Sequence, residues 1–242
     1  MYLKDKTVLL TGAGGGIGSA IAEKLTLAGA KIILFGGNNL SKLELTAQKI
    51  KDVGGECVIK AGNLTSDTFI EETVDEVAKE TGGIDVLINN AGMALNSTFE
   101  QTNAQIYDKI MNINVRAPYL LTQKVLPYLL KSDRASIINI ASVVSHAGYA
   151  NQSAYVASKH ALLGFTKSLA AEVYEKGVRV HAISPGGVYT DMVKISRPDL
   201  TPDGMIMPNE IAEIVDFLLK NRGNAVIDEI IVHRLNKTPF LV

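Results

Sequence analysis

Short apolar runs alternate along this chain with longer segments of helical periodicity, and this alternation constrains the fold more than any other feature. Strands that alternate with helices form β–α–β units, in which neighbouring strands run parallel and helices cover the sheet. The runs Val8–Leu10 and Ile32–Leu34 are continuously apolar, which is typical of strands buried on both faces. The sequence therefore predicts an α/β fold: a doubly wound parallel sheet of about seven strands with helices on both faces.

The predicted elements follow one another without a linker or a strong internal repeat, so we expect a single domain over residues 1–242. The strands are expected at Thr7–Leu10, Lys31–Phe35, Glu56–Ala61, Val86–Asn89, Ser136–Ile140, Val178–Ile183 and Ala225–Val232. The helical patterns cover Ile17–Ala28, Ser41–Val53, Asp67–Glu80, Asn103–Leu130, Ala154–Lys176 and Asn209–Lys220. The least regular segment is Gly186–Pro208. Because a loop of that length in a compact domain is usually functional, we predict a substrate lid at 188–207.

Charge and composition argue against several classes of function. The chain carries 24 Lys and Arg against 25 Asp and Glu, so it lacks the basic excess typical of nucleic-acid binding. Cys57 is the only cysteine, which excludes an intrachain disulfide, and the four histidines lack metal-ligand spacing. Ala135–Ser158 has no charged residue, but polar side chains interrupt it, so no membrane span is expected. We expect a cytoplasmic protein with no metal and with neither nucleic acid nor membrane as partner.

A glycine-rich turn lies between the first predicted strand and the first predicted helix. It consists of Gly12, Gly14, Gly15, Gly16 and Gly18, with Ile17 among them. Glycine lets the backbone turn sharply and approach a pyrophosphate, and the helix N-terminus offers free N–H groups to the phosphates. Glycine also serves ordinary tight turns, but a position between a strand and an amphipathic helix favours a dinucleotide site.

Tyr155 and Lys159 are four residues apart in a predicted helix, so their side chains share one face. An ammonium about 4 Å from the phenol, at an effective dielectric constant near about 20, favours the phenolate by on the order of 4 kcal/mol, or roughly three pKa units before desolvation opposes it. We therefore expect a lowered pKa for Tyr155, suited to proton transfer. By itself the spacing is also typical of a solvated helix face, so the assignment depends on other motifs.

Those motifs follow in the order and spacing of a known family. Thr11-Gly12-x-x-x-Gly16-x-Gly18 is followed by Asn89-Asn90-Ala91-Gly92, Asn114, Ser142 thirteen residues before Tyr155, Pro185-Gly186, and Thr190. With these matches the chain resembles the short-chain dehydrogenase/reductase family, and within it the 3-oxoacyl-acyl-carrier-protein reductases. The resemblance implies a Rossmann-type fold and hydride transfer between a nicotinamide cofactor and a carbonyl or secondary alcohol.

The resemblance assigns catalysis to Asn114, Ser142, Tyr155 and Lys159. Ser142 is expected to hold the substrate oxygen beside the phenol. Asn114 lies within a predicted helix, where asparagine is intrinsically unfavourable. For this residue the resemblance implies a bent helix and a water that connects Lys159 to solvent, with Asn112 as the competing candidate.

The cofactor contacts depend on the turn and on the resemblance. The set is Gly12, Gly14, Gly15, Gly16, Ile17, Gly18, Gly37, Asn38, Asn63, Leu64, Asn90, Ala91, Gly92, Tyr155, Lys159, Pro185, Gly186, Val188 and Thr190. An acid after the second strand would bind the ribose hydroxyl of NAD, whereas a 2′-phosphate needs its absence. Because Gly37 and Asn38 carry no negative charge, the sequence favours NADP(H) over NAD(H).

The leading hypothesis is a 3-oxoacyl or general ketone reductase whose substrate is a small carbonyl or alcohol, with acyl thioesters among the candidates. The alternatives are an NAD-dependent dehydrogenase of a small secondary alcohol, polyol or sugar, and a catalytically silent nicotinamide-binding regulator. The segments Asn103–Leu130 and Ala154–Lys176 carry more apolar residues than one buried stripe requires. We therefore expect a homotetramer, with a dimer as the alternative, unless loops of the same chain cover these faces.

Overall fold

The computed structural model describes residues 1–37, 39–196 and 200–238, and within them seven parallel strands form one sheet in the order β3-β2-β1-β4-β5-β6-β7. The strands are β1 Thr7–Thr11, β2 Lys31–Phe35, β3 Cys57–Lys60, β4 Val86–Asn89, β5 Ser136–Ile140, β6 Arg179–Pro185 and β7 Glu229–Val232. The helices are α1 Gly16–Leu27, α2 Leu40–Asp52, α3 Asp67–Thr81, α4 Ala104–Met111, α5 Ala117–Leu129, α6 Ser153–Val173, α7 Asp191–Ser196 and α8 Pro208–Lys220. The predicted fold class is confirmed.

Each strand buries two faces because successive side chains point to opposite sides. In β1, Val8 and Leu10 pack in one core while Leu9 packs in the other. Helices α1, α2 and α8 contribute to the first core, and α3, α5 and α6 contribute to the second. This double burial explains why the strand runs are apolar without alternation.

The strand order changes direction beside β1, and this topology positions the site. Strand β1 pairs with β2 on one side and with β4 on the other, so the connections that leave β1 and β4 diverge. In open parallel sheets a crevice forms where the order reverses, at the carboxyl ends of the strands. The segments that follow β1 and β4 therefore border one crevice.

The long helix predicted at Asn103–Leu130 is three consecutive segments. A π-helical turn, Asn112–Arg116, separates α4 from α5, and the backbone continues through it in helical conformation. Periodicity did not predict the π turn, because one extra residue in a turn barely changes the hydrophobic pattern. The π turn lies at the position where the resemblance implies a bent helix.

The last strand is shorter than the predicted Ala225–Val232. Strand β7 pairs with β6 only from Glu229 onward. Before that point, side chains of β6 replace the ladder: Arg179 donates to two carbonyl groups of the preceding loop, and the ring of His181 hydrogen-bonds the carbonyl of Ile227. The apolar residues of this segment therefore predicted a strand that is longer than the one that pairs with β6.

The predicted lid segment is not wholly irregular. Helix α7 forms within it, and a β-bridge between Val188 and Ile206 joins its two ends. Residues 197–199 lie outside the described part. Among the helices of the described residues, none is both long and apolar enough to cross a membrane.

Candidate active site

Hydrogen bonds tie the carboxyl ends of β1 and β4 together. The Thr11 hydroxyl accepts from the backbone N–H groups of Asn90 and Ala91 and donates to a carbonyl of β4. The Asn90 amide donates to the carbonyl groups of Thr11 and Gly12. The glycine turn is thus fixed against the motif that follows β4.

The glycine turn leaves no room for side chains at two of its positions. A Cβ at Gly18 would lie 2.3 Å from the carbonyl oxygen of Gly12, and Gly12 itself has φ +64°. The backbone therefore approaches itself closely and presents the N-terminus of α1 to the crevice. This cradle fits a pyrophosphate, since close backbone approach and free helical N–H groups are what such a group requires.

A cleft of about 480 Å³ extends from this turn across the strand ends. The predicted cofactor residues that line it are Gly12, Gly15, Gly16, Ile17, Gly18, Gly37, Asn63, Leu64, Asn90, Ala91, Gly92 and Thr190. Asn38 lies outside the described residues. Gly14 does not line the cleft, because a Cβ there would meet the side chain of Lys42 at 2.9 Å. We call this space the cofactor cleft.

Lys42, on α2, is a cofactor-cleft residue that the sequence analysis missed. Its ammonium lies 3.3 Å from the carboxylate of Asp191, the first residue of α7. Only the folded chain brings α2 over the glycine turn. In the sequence, only the absence of side chains at Gly14 and Gly15 indicated that a residue from elsewhere in the chain could pack against the glycine turn.

A second cleft, of about 310 Å³, adjoins the first and contains the predicted reacting groups. It includes Ser142, Tyr155 and Lys159, together with Pro185, Gly186 and Val188. Residues 90, 92 and 190 line both clefts, so the two spaces are continuous. We call the second space the substrate cleft.

Burial sets the protonation of Tyr155 and Lys159. The Lys159 ammonium donates to the carbonyl of Ile140 at 2.8 Å and lies 5.9 Å from the centroid of the Tyr155 ring. Burial lowers the pKa of Lys159 to about 8. Burial also raises the pKa of Tyr155, although a hydrogen bond with Ser142 acts in the opposite direction. The predicted lowering of the Tyr155 pKa is therefore wrong for the chain without cofactor, because desolvation of the buried phenol is the largest influence on it and raises the pKa.

Ser142 is fixed where β5 passes into a short 3₁₀ turn, Val143–Ser145. Its hydroxyl donates to the carbonyl of Pro185 at 3.3 Å and accepts from the N–H of Val144 at the same distance. The ends of β5 and β6 therefore fix the hydroxyl, and Ser142 lines a cleft that also holds the phenol of Tyr155.

Asn114 lies inside the π turn and is fully buried. Its carbonyl oxygen accepts from the N–H of Met93, and its amide donates to the carbonyl of Met93 and to the Ser158 hydroxyl. All three partners belong to the protein, so the side chain joins the loop after β4 to the helix that carries Tyr155. The side chain of the competing residue, Asn112, is only partly buried.

Comparison with known proteins agrees with this geometry. A model of the short chain dehydrogenases matches residues 6–201. The 3-oxoacyl-acyl-carrier-protein reductase of Vibrio cholerae is 37% identical over 227 residues, which cover 90% of this chain and 91% of the relative. The corresponding reductase of Thermotoga maritima is 32% identical over 241 residues, which cover 96% and 97%. The chain belongs to the short-chain dehydrogenase family. It is therefore an NAD(P)-dependent oxidoreductase that acts on a CH–OH group or a carbonyl, as predicted.

Solved structures of short-chain dehydrogenases share the whole architecture. A metagenomic short-chain oxidoreductase in complex with NADP superposes with a TM-score of 0.85 at 30% identity, covering 98% of this chain and 100% of that chain. Levodione reductase superposes with a TM-score of 0.87 at 30% identity, covering 95% and 96%. The coverage extends through the C-terminal segment beyond the family match.

In this short-chain dehydrogenase the substrate cleft also contains three residues of the predicted lid segment: Met192, Leu200 and Met205. Other residues of the cleft were not indicated by any motif, among them Met93, Ala94, Tyr149, Gln152, His233, Arg234 and Lys237. His146, which follows Ser142 closely, hydrogen-bonds Glu229 of β7 at 2.7 Å and does not line the cleft. Across the described residues no three His, Cys, Asp or Glu side chains gather as metal ligands.

Proposed function

We propose that this protein reduces the ketone of 3-oxoacyl compounds and related small ketones, with NADPH as reductant. The observation that carries the proposal is one cleft that holds Ser142, Tyr155 and Lys159 and opens into the glycine-lined cofactor cleft. The Vibrio cholerae and Thermotoga maritima relatives, both named as 3-oxoacyl reductases, support the substrate class. Acyl thioesters are therefore included among the candidate substrates.

Tyr155 is the proton donor in this proposal. Its raised pKa keeps the phenol protonated at neutral pH, so that it can give its proton to the oxygen of a ketone. Ser142 holds that oxygen by a hydrogen bond and stabilises the negative charge that develops on it. Bound NADPH supplies the hydride.

Lys159 and Asn114 support the donor. The Lys159 ammonium, with a pKa of about 8, is a proton source that borders the Tyr155 ring. Asn114 holds the start of α6 through Ser158, whose hydroxyl donates to the carbonyl of Tyr155. We assign Asn114 a positioning role, and the water that the resemblance implies would bind beside it.

The test is a turnover assay. Oxidation of NADPH and of NADH is followed with a panel of ketones that includes acetoacetyl thioesters. The Tyr155→Phe variant is expected to lose nearly all turnover while its affinity for the cofactor stays within about threefold, because the change deletes the proton and little packing. A variant that keeps more than about a tenth of the wild-type rate would exclude Tyr155 as the donor.

The preference for NADPH is supported by charge at the cofactor cleft. Among the described residues that line this cleft Lys42 is the only Lys or Arg and Asp191 is the only acid, since Gly37 contributes no carboxylate. A lysine attracts the 2′-phosphate of NADP as a point charge, whereas the ribose hydroxyl of NAD gains little from it. In the cofactor complex Lys42 would exchange its Asp191 partner for that phosphate.

The lid over the substrate is the next proposal. Helix α7 and residues 200–206 form one side of the substrate cleft, and the Val188–Ile206 bridge closes the base of this segment. We assign residues 188–207 as the lid over the substrate.

We also place the protein in the cytoplasm, where the nicotinamide pool is found and a lone cysteine stays reduced.

A homotetramer is the assembly that we propose. On one face, the ring of the exposed Tyr119 lies 5.1 Å from that of Phe165 of α6, and Tyr107 of α4 is exposed as well. On another face, Phe217 of α8 and Ile231 of the edge strand β7 are exposed. Two separate apolar faces suit two isologous interfaces, which together generate a tetramer.

A further inference from the structure

The charged side chains of the substrate cleft are all basic. They are Lys159, Arg234 and Lys237, with His233 beside them. No Asp or Glu lines this cleft in the part of the chain that the structure describes. Lys159 is occupied by the carbonyl of Ile140, so Arg234 and Lys237 are the cations left to face a ligand.

Arg234 is partly buried without an acidic partner. Its aliphatic stem packs on the loop after β6, where a Cβ at Gly187 would lie 3.3 Å from Arg234 Cδ. Its guanidinium donates to the Met205 sulfur at 3.3 Å, and a thioether is a weak acceptor. None of the described carboxylates lies within 4 Å of it. The arginines that proteins bury are normally paired with an acid. Because the Met205 sulfur engages only one of the five N–H donors of Arg234, the others remain available to an anion.

A turn holds Lys237 at the same opening. The N–H of Lys237 donates to the carbonyl of Arg234, and Asn236 between them packs on Gly204, whose φ is +66°. A Cβ at Gly204 would lie 2.9 Å from Asn236 Cγ. The turn is therefore fixed against the 188–207 segment, and both cations belong to one surface of the cleft.

The cofactor cleft does not include these two cations. Its lysine is Lys42, and neither Arg234 nor Lys237 lines it. Arg234 and Lys237 instead share the substrate cleft with Ser142 and Tyr155. We propose that Arg234, assisted by Lys237, binds an anionic group of the substrate, a carboxylate or a phosphate, while Ser142 and Tyr155 engage its ketone. This inference rests on the proposed reductase function and narrows its substrate class.

Two matched substrate pairs test the inference and separate the two sources of anion. Acetoacetate is compared with its neutral ethyl ester, and acetoacetyl-coenzyme A with the neutral acetoacetyl thioester of N-acetylcysteamine. In Arg234→Gln we expect kcat/KM to fall about 10- to 100-fold for the anionic member of the accepted pair and less than about threefold for the neutral member. Arg234→Lys should restore part of the loss. Lys237→Gln, at an exposed position, should cost about two- to fivefold, and Lys220→Gln on α8 serves as the control with no change.

Three results would overturn the inference. Equal losses on charged and neutral members would assign Arg234 to packing alone. A raised Kd for NADPH in Arg234→Gln, with the charged-to-neutral ratio unchanged, would assign its charge to the cofactor. If wild type reduces none of the four ketones, the proposed function fails instead. Calorimetric titration of acetoacetate and coenzyme A into wild type and Arg234→Gln then decides the inference, since equal affinities would refute it.

Discussion

Asn114 is the residue where the structure allows the sharpest estimate of a mutational effect. The fully buried side chain makes three hydrogen bonds of 2.8, 2.8 and 2.9 Å, to both backbone groups of Met93 and to Ser158. Asn114→Ala removes all three at once and leaves the partners buried. With a net contribution of about 1 kcal/mol for each bond, the variant should lose about 3 kcal/mol of unfolding free energy. In a domain of this size that loss corresponds to a Tm about 6–12 °C lower.

The measurement is thermal unfolding by circular dichroism at equal protein concentrations, with Asn112→Ala as the matched control. Asn112 belongs to the same π turn, and its side chain is partly exposed and makes no hydrogen bond within the described residues. Its replacement by alanine should therefore shift Tm by no more than about 2 °C. Equal shifts in the two variants would refute the assignment of the Asn114 contacts. A positioning role further predicts that Asn114→Ala lowers kcat, because Ser158 and Tyr155 lose their anchor.

Three further predictions follow from charge and exposed surface. Gly37→Asp should weaken NADPH binding at least about tenfold more than NADH binding. Gly37→Asn places an uncharged side chain at the same φ of +86°, so it is the control for backbone strain. Lys42→Gln should also weaken NADPH binding, whereas Lys51→Gln should not. Equal effects on NADPH and NADH would contradict the assignment of these residues to the 2′-phosphate. The pKa of Lys159 is about 8, so its ammonium loses its charge above that pH and kcat/KM for reduction should fall there. Lys159→Arg should move this fall to higher pH. An unchanged pH profile in that variant would assign the fall to another group. Light scattering after size exclusion should give about four times the 25.9 kDa of one chain, whereas a mass near 25.9 kDa would exclude both apolar faces as interfaces.

The sequence predicted the fold best where burial is most complete. The central strands β1, β2, β4 and β5 agree with prediction to within one residue, and nearly all of their residues are buried. Prediction failed where side chains replace backbone hydrogen bonds, as Arg179 and His181 do before β7. It also missed α7, which at six residues is shorter than two helical turns and gives no clear periodicity.

For the site, the sequence found residues that local motifs carry and missed residues that the fold brings in. Ser142, Tyr155 and Lys159 do meet in one cleft, as expected. Lys42 and Arg234 come from α2 and from the segment after β7, and their places depend on how those elements pack on glycines 14 and 187. A glycine in the sequence indicates that another group can approach the backbone there, but it does not indicate which side chain does so. Neither Lys42 nor Arg234 could therefore have been assigned without the structure.

The pKa of Tyr155 shows how packing changes a conclusion drawn from spacing. The four-residue spacing correctly places Lys159 beside the ring, but the same burial that brings them together removes water from both groups. Desolvation raises the pKa of the phenol and lowers that of the ammonium, since it penalises the charged form of each. At neutral pH the cofactor-free chain therefore holds a protonated phenol next to an ammonium whose proton is comparatively easy to release. A protonated phenol with an ammonium beside it can give its proton to the oxygen of a ketone, and by microscopic reversibility the same phenol oxygen takes that proton back when the alcohol is oxidised. The burial of this pair therefore fits proton transfer at the substrate oxygen in both directions of the reaction.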